Sequence, residues 1–154
     1  MQAILSLGSN LGNRAENLSR ATQLLTERVG TFVVCSAVYE SEPWGFCSEN
    51  AFANSVLIIK TDLTPQTLLA ETQAIEQLMG RTEKSHAGQY HDRIIDIDLI
   101  DCDGQTLQSP DLTLPHPLMH QRPFVLQPLA EILPNWRHPI FRKTAKELLV
   151  EIHQ

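Results

Sequence analysis

The chain has 154 residues, a length that predicts one domain with its own hydrophobic core. A net charge of −6, from 12 basic and 18 acidic residues, disfavours a general affinity for nucleic acid or anionic membranes. No apolar run reaches the roughly 18 to 20 residues of a membrane span, and we see no basic leader, so we expect a cytoplasmic protein. The cysteines form no C-x-x-C pair, so we expect no disulfide framework.

Strand and helix patterns alternate in the first half of the chain. After a first strand, a turn rich in glycine and asparagine leads into a helix with Asn13 as its N-cap and Gly30 as its C-cap. Leucine, alanine and valine recur at helical spacing between these two residues. The predicted strands are residues 3–7, 31–39 and 52–60, with a loop at residues 40–50.

Prolines and glycines divide the second half of the chain. Thr64 and Pro65 predict the start of a second helix, which Gly80 ends. Pro123 and Pro128 exclude one continuous helix, so we expect a short helical turn, an extended segment from Pro123 and a helix that begins at Pro128. The other predicted elements are a polar loop at 81–92, a strand at 93–100, a turn at Asp103-Gly104, irregular chain at 110–117 and a helix at 144–152.

The order of these elements is strand, helix, strand, strand, helix, strand, followed by additional helices. This order is typical of a split βαβ unit. The sequence therefore predicts an α+β fold, a ferredoxin-like α/β sandwich with extra helices at the C-terminal end, formed by residues 1–154 as a single domain.

Two aspartates share one face of the predicted fourth strand. Side chains alternate along a strand, so Asp96 and Asp98 point the same way. Paired carboxylates among apolar residues need a cation, and Mg²⁺ prefers carboxylate oxygens. Arg93 adds a guanidinium suited to phosphate. The metal-binding carboxylates and this phosphate-binding group together indicate phosphoryl transfer. The alternative is a solvated edge strand, although Ile94 and Ile100 make that face apolar at both ends.

Two histidines, His116 and His120, stand four residues apart. A zinc motif of the H-E-x-x-H kind needs glutamate after the first histidine, and Pro117 stands there instead. Flanked by Pro115 and Pro117, His116 is expected in a rigid extended segment that suits one donor aimed at an anion. A structural turn histidine is the alternative interpretation.

A few aromatic and polar side chains fit a flat heteroaromatic ligand. Phe52 and Phe124 can stack on such a ring and Trp44 lies in a proline- and glycine-containing loop, although core packing is the alternative for all three. Asn54 can read the edge of a ring, or it makes a cross-strand or backbone hydrogen bond. Glu76 falls on the inward stripe of its helix, where a charge needs a partner, and Arg81 or Arg93 could serve. The alternative is a different helix phase, in which Glu76 is solvated.

Several short motifs occur in the order typical of one enzyme family. They are Gly8-Ser9-Asn10-Leu11-Gly12, Pro43-Trp44-Gly45, Phe52-x-Asn54, Gln73-x-x-Glu76, Gly80-Arg81, Arg93-x-x-Asp96-x-Asp98-Leu99 and Pro115-His116-Pro117-x-Met119-x-x-Arg122-x-Phe124. Over nearly its whole length the chain resembles 6-hydroxymethyl-7,8-dihydropterin pyrophosphokinases, enzymes of folate biosynthesis. The resemblance implies transfer of pyrophosphate from ATP to the hydroxymethyl group of the pterin, with AMP as the other product.

The resemblance also implies a role for individual positions. Asp96 and Asp98 would be ligands of two Mg²⁺ ions, and Asp98 is a candidate base for the pterin hydroxyl. The implied catalytic and phosphate-binding residues are Arg81, Arg93, Asp96, Asp98, His116 and Arg122. The implied pterin-binding residues are Pro43, Trp44, Phe52, Asn54, Asp96 and Phe124. Those implied to bind ATP are Leu69, Gln73, Glu76, Arg81, Arg93, Thr113, His116 and Arg122.

Some features differ from the usual family pattern. Many members carry Arg-Trp-Gly-Pro before the catalytic arginine, whereas this chain has Gln89-Tyr90-His91-Asp92, and Asp111 stands where a basic residue is frequent. We expect the loops at 40–50 and 81–92 to close over the substrates, which excludes water. We also expect a monomer. A pterin- or nucleotide-binding module without catalysis is the alternative function, because one fold serves many functions.

Overall fold

The structure is a computed structural model that describes residues 1–42, 50–80 and 94–153. In these ranges the strands are β1 (Gln2–Ser9), β2 (Thr31–Cys35), β3 (Tyr39–Ser41), β4 (Phe52–Lys60), β5 (Asp96–Cys102), β6 (Leu107–Gln108) and β7 (Thr113–Leu114). The helices are α1 (Arg14–Arg28), α2 (Pro65–Leu78), α3 (Pro123–Ile132) and α4 (Ala145–Ile152), with a 3₁₀ turn at Met119–Gln121.

The main sheet is antiparallel and has the order β2-β4-β1-β5, with β3 pairing beside β2 on β4. The longest pairing joins β1 to β4, from Gln2 opposite Lys60 to Ser9 opposite Ala53. A short second sheet joins β6 to β7. The predicted mixed helix and sheet class is therefore confirmed.

Both faces of the sheet are covered by helices. On one face α1 and α2 pack on a core that includes Leu5, Leu25, Leu57, Leu68 and Ile97. On the other face α3 and α4 pack on a second core, whose members are Ile4, Val56, Ile58, Ile100, Met119, Val125, Leu126, Leu129, Ala145 and Leu148. Within the described ranges, no helix has the length and apolarity that crossing a membrane requires.

The predicted helix starts are confirmed by side-chain caps. Asn13 accepts a hydrogen bond from the backbone N–H of Glu16, and Thr64 accepts one from Thr67. At α4, Thr144 and Glu147 form a reciprocal capping box. These bonds satisfy backbone donors that have no partner inside the first turn of a helix.

The predicted strand at residues 31–39 is wrong in one respect, because the chain breaks into β2 and β3. Between Cys35 and Tyr39 the chain advances four residues while their partners on β4, Leu57 and Asn54, are three apart. The extra residue bulges the strand. Within this break Ser36 still binds to β4, since its hydroxyl accepts a hydrogen bond from the backbone N–H of Val56.

The prediction for residues 123–128 is wrong. Instead of an extended segment, α3 begins at Pro123 and continues through Pro128. Proline is well accommodated at the first helical position, and the bond lost at Pro128 is outweighed by burial of Val125, Leu126 and Leu129.

Other predicted boundaries also shift. The fourth strand of the prediction begins at Asp96 and not at residue 93, and residues 110–117 include β7. The C-cap of α1 is Val29 and not Gly30. Glycine at position 30 instead allows the chain to pack closely against β4, because a Cβ there would lie 2.1 Å from the carbonyl oxygen of Lys60. The turn at Asp103 and Gly104 is confirmed, since both residues have positive φ.

Candidate active site

Three residues of the candidate site are paired across neighbouring strands at one end of the sheet. Gly8 on β1 lies opposite Asn54 on β4 and opposite Asp96 on β5. Directly opposite residues point to the same face, and strands lie about 4.8 Å apart, so roughly 10 Å separates the Asn54 and Asp96 positions. Gly8 itself adds no side chain at the position between them, and we call this position the Gly8 slot.

Gly8 also allows its neighbours to lie close. A Cβ at this position would lie 3.3 Å from Oδ1 of Asn54 and 3.5 Å from the ring of Phe52. Sequence reasoning took Gly8 as a turn residue, whereas the structure places it within β1. The available signal was the alternation along β1, which puts Ile4, Ser6 and Gly8 on one face.

The amide of Asn54 is buried and oriented by β3. Its Nδ2 donates to the carbonyl oxygen of Tyr39 at 3.1 Å and to Oγ of Ser41 at 2.8 Å. The cross-strand bond that sequence reasoning left open is therefore present. With both amide hydrogens used, Oδ1 faces the Gly8 slot as a hydrogen-bond acceptor.

Aromatic rings belong to the same face of the sheet. Phe52 lies beside the slot, and Phe124 on α3 packs against the core of that face. The guanidinium of Arg122 lies 5.6 Å from the centroid of the Phe124 ring, within range of a cation–π contact. The start of α3 therefore brings one aromatic ring and one cation to the end of the sheet that carries Asp96.

The two aspartates lie side by side on β5, as the alternation predicted. Asp96 is opposite Gly8 and Asp98 is opposite Ser6, and both carboxylates are half-buried. Arg122, which is buried, holds Nη1 3.7 Å from Oδ2 of Asp98. β5 is the edge strand of the main sheet. The face that carries the two aspartates is nevertheless covered by Arg122 and α3 and includes the buried Ile100, so it is not the plain solvated face of the alternative interpretation.

His116 has a defined tautomer. Its Nδ1 accepts the backbone N–H of Leu118 at 3.1 Å, while its own backbone N–H donates to the carbonyl oxygen of Ile100 at 2.9 Å. An imidazole nitrogen that accepts from a backbone N–H carries no proton, so Nε2 holds the ring proton. His116 can therefore offer a single N–H donor.

A pocket of about 240 Å³ opens where β5 meets α2 and the 109–117 segment. It is lined by Leu69, Gln73, Ile97, Asp98, Leu99, Ser109, Pro110, Asp111, Leu112, Thr113, His116 and Pro117. Four residues expected to bind ATP, Leu69, Gln73, Thr113 and His116, are thus brought together around Asp98. Asp98 lines the pocket, and Asp96 lies opposite Gly8, so the aspartate pair is adjacent to both the pocket and the Gly8 slot.

Glu76 is buried and does not line this pocket. Its Oε2 accepts the backbone N–H of Ile97 at 2.8 Å, so α2 holds the outer edge of β5. The inward phase predicted for Glu76 is therefore correct. Its position next to Asp96 and Asp98 along the strand makes Glu76 a support of the aspartate pair.

The donor set around the aspartates fits a hard cation better than zinc. In the part of the chain that the structure describes, no group of three or more His, Cys, Asp or Glu side chains converges to hold a metal ion. His120 lies against Phe141, at a ring distance of 4.9 Å, and does not join His116. Two carboxylates suit Mg²⁺, which completes its shell with water and phosphate oxygens.

Several predicted site residues lie outside the described residues. They are Pro43, Trp44, Arg81 and Arg93. The 81–92 loop, with its Gln89-Tyr90-His91-Asp92 departure, and most of the 40–50 loop lie there as well.

The chain is similar to known pyrophosphokinases in sequence. Residues 4–134 match the family model of 7,8-dihydro-6-hydroxymethylpterin-pyrophosphokinase. A 2-amino-4-hydroxy-6-hydroxymethyldihydropteridine pyrophosphokinase of Porphyromonas gingivalis is 52% identical over 136 residues, which cover 88% of this chain and 92% of the relative. The enzyme of the same name from Aquifex aeolicus is 40% identical over 147 residues, covering 96% and 89%.

The fold is similar to solved structures as well. The wild-type HPPK-DHPS of Plasmodium falciparum with pteroate superposes with a TM-score of 0.78 at 16% identity, and the match covers 97% of this chain and 44% of that one. This chain therefore spans less than half the length of that structure. At such low identity the likeness shows a shared fold.

Proposed function

The chain belongs to the 7,8-dihydro-6-hydroxymethylpterin-pyrophosphokinase family, and from that premise we propose that it is an ATP-dependent diphosphotransferase of folate biosynthesis. It transfers the β,γ-pyrophosphoryl group of ATP to the hydroxymethyl oxygen of 6-hydroxymethyl-7,8-dihydropterin and releases AMP. One structural observation also supports the proposal. Asp96 lies opposite Gly8 while Asp98, on the same face of β5, lines the pocket, so two substrates can meet at one pair of carboxylates.

The slot over Gly8 suits the pterin ring. A pterin presents an amino group and a ring N–H along one edge, and Oδ1 of Asn54 is an acceptor for them. Phe52 and Phe124 would stack on the ring. Pro43 and Trp44 are proposed as further pterin contacts on the resemblance alone.

The pocket beside β5 suits ATP. Leu69, Gln73 and Thr113 line it and would contact the nucleotide, while Glu76 supports it through β5. His116 would donate its Nε2–H to a phosphate oxygen, and Arg122 would add positive charge beside Asp98. Arg81 and Arg93 are proposed as further phosphate-binding residues.

Asp96 and Asp98 are the residues that would hold Mg²⁺. When bound, the metal neutralises the triphosphate and draws the anionic nucleotide to a protein of net charge −6. We propose two ions on the family resemblance.

The proposed reaction needs positioning more than covalent catalysis. The hydroxymethyl oxygen forms a bond to the β-phosphorus while the bond from that phosphorus to the oxygen bridging the α- and β-phosphates breaks. The electron pair leaves with AMP. Asp98 orients the hydroxyl and accepts its proton.

Other properties complete the proposal. The antiparallel order β2-β4-β1-β5, with α1 and α2 on one face, supports a ferredoxin-like core. One sheet shared by two cores supports a single domain over residues 1–154. We also propose a cytoplasmic monomer that binds neither nucleic acid nor membrane, as the composition suggests.

Release of AMP by the purified chain tests the proposed function. With ATP and Mg²⁺, we expect AMP only when 6-hydroxymethyl-7,8-dihydropterin is added, and we expect Asp96→Ala to abolish it. The exposed Asp62, at the opposite end of β4, provides the matched control Asp62→Ala. If the wild type binds pterin in calorimetry but releases no AMP, the chain is a binding module and the proposal is wrong.

A further inference from the structure

One guanidinium joins the start of α1 to the strands that carry the slot. Arg14 donates from Nη1 to the carbonyl oxygen of Ala51 at 3.0 Å and from Nη2 to Oε1 of Glu40 at 2.7 Å. Ala51 directly precedes β4, and Glu40 is the middle residue of β3. Arg14 therefore contacts both strands just beside Phe52 and Asn54.

The turn between β1 and α1 is held by further side-chain bonds. Nδ2 of Asn10, which is buried, donates to the carbonyl oxygen of Asn50 at 3.2 Å. Nδ2 of Asn17 donates to Oγ of Ser9 and to the carbonyl oxygen of Leu11, at 3.1 and 2.9 Å. Because this turn follows Gly8 directly, it links the floor of the slot to the start of β4.

Arg14 is not placed to stabilise α1. It is the first residue of the helix, where the helix dipole disfavours a cation. The N-cap function already belongs to Asn13, whose side chain accepts from the N–H of Glu16. The contacts of Arg14 with Glu40 and Ala51 are therefore a better physical explanation for an arginine at this position than helix stability.

We propose that Arg14 is a positioning residue for the pterin half of the site, an inference that rests on the proposed function. By holding β3 and the start of β4 against the turn after Gly8, Arg14 keeps Phe52 and Asn54 in place before the substrate arrives. A site that is ordered in advance loses less entropy when the ligand binds. Among the described residues, neither partner of Arg14 lines the pocket beside β5, so we expect its effect to be specific to the pterin.

Steady-state kinetics of Arg14→Gln test this inference. We expect the KM for the pterin to rise about tenfold, while the KM for ATP and kcat change less than about twofold. The matched control is Arg28→Gln at the other end of α1, which removes a surface ion pair with Glu71 at 3.6 Å. We expect neither KM to change in this control.

Two further variants separate positioning from simple stability. Lysine can reach one of the two acceptors but not both, so Arg14→Lys should raise the pterin KM by about threefold, between the wild type and Arg14→Gln. Glu40→Gln keeps the bond to Ala51 and should have the smaller effect. The melting temperature of Arg14→Gln should stay close to that of the wild type, because the loss of the two bonds of Arg14 is partly offset by removal of a cation from the helix start.

Calorimetry distinguishes failure of this inference from failure of the proposed function. Pterin binding is measured with Mg²⁺ and a non-hydrolysable ATP analogue. If the wild type binds pterin but makes no AMP, the proposed function fails, while weaker pterin binding by Arg14→Gln still supports positioning. Equal pterin affinity of Arg14→Gln and Arg28→Gln overturns the inference, as does an equal rise of both KM values. A wild type that does not bind pterin overturns both.

Discussion

Asp98 has more of the proposed roles than any other described side chain of the site. It lies opposite Ser6 on the slot face, lines the pocket beside β5, and pairs with the buried Arg122 at 3.7 Å. A carboxylate in this place is close to the metal, the triphosphate and the acceptor hydroxyl in the proposed complex. We therefore expect the negative charge of Asp98 to be more important for turnover than the shape of its side chain.

Asp98→Asn removes the charge and keeps the shape. We expect turnover with saturating Mg²⁺ to fall by about 10³-fold, because both the metal ligand and the proton acceptor are weakened. The assay is AMP release with pterin and ATP. Asp62→Asn makes the same chemical change on the exposed surface and should retain full activity. Near-normal turnover of Asp98→Asn would exclude both roles.

At the scale of single residues, the sequence predicted a side chain's position where that position depends only on its neighbours in the chain. Alternation along a strand was enough to place Asp96 and Asp98 together, and the prolines around His116 indicated a rigid segment. The role of Gly8 and the bond from Ile97 to Glu76 were not predictable. Both depend on which strands pair and in which register, and this information is not local.

At the scale of elements, the turn between α1 and β2 packs tightly against the end of β4 at Gly30. A Cβ on Gly30 would lie 2.1 Å from the carbonyl oxygen of Lys60, which is backbone and cannot move aside as a flexible side chain can. Gly104 presents the opposite case. It has a φ of +67° and no atom within 4 Å of a Cβ, so only the backbone conformation favours glycine there.

These two glycines give a matched pair of substitutions. We expect Gly30→Ala to lower the free energy of unfolding by about 3 kcal/mol, because the strands must separate from α1 to accept the methyl group. Gly104→Ala should lower it by about 1 kcal/mol, the cost of a left-handed conformation for alanine. Urea unfolding measures both values. Equal losses would mean that packing against Lys60 does not explain Gly30.

Helix starts were the most predictable feature of the elements, and α3 was the least. Asn13, Thr64 and Thr144 cap their helices through bonds to residues three positions ahead, which a reader of the sequence can anticipate. Pro128 misled the prediction, because the local penalty of proline was given more weight than burial of the apolar side of α3. Burial is decided by the sheet beneath and is not visible in the helix alone.

At the scale of the whole molecule, the C-terminal part of the chain depends on a buried histidine. The ring of His138 accepts at Nδ1 from the backbone N–H groups of Ile140 and Phe141. The backbone N–H of His138 donates to the carbonyl oxygen of Lys143. Burial, with a smaller contribution from nearby His120, lowers the pKa of His138 to about 4. The neutral ring is therefore part of the folded state.

Stability should fall in acid because of this group. A histidine whose pKa is lower when folded stabilises the fold above its ordinary pKa of 6.5, and this contribution is lost as pH falls towards 4. We expect about 3 kcal/mol to be lost between pH 7 and pH 4. The variant His138→Asn retains an acceptor for the two N–H groups and should lose less stability over this range.

Urea unfolding at several pH values measures this difference. His153→Asn, at an exposed position, is the control and should follow the wild-type pH profile. Parallel profiles for the wild type and His138→Asn would show that His138 is not the source of the acid sensitivity.

The general architecture could be predicted because the order of strands and helices is strongly patterned. The two-sided packing could not, since the prediction for 118–133 divided α3. The place of the aspartate pair beside both the slot and the pocket was also beyond the sequence, because it needs β1 to lie between β4 and β5. The contributions of Pro43, Trp44, Arg81 and Arg93 remain predictions.

The fate of the ATP phosphorus atoms tests the central claim most directly. Phosphorus NMR of the wild-type reaction with ATP, Mg²⁺ and 6-hydroxymethyl-7,8-dihydropterin distinguishes the possible products. We expect AMP together with a pterin ester that carries two mutually coupled phosphorus atoms. ADP with a pterin monophosphate, or free phosphate formed without any pterin ester, would contradict it.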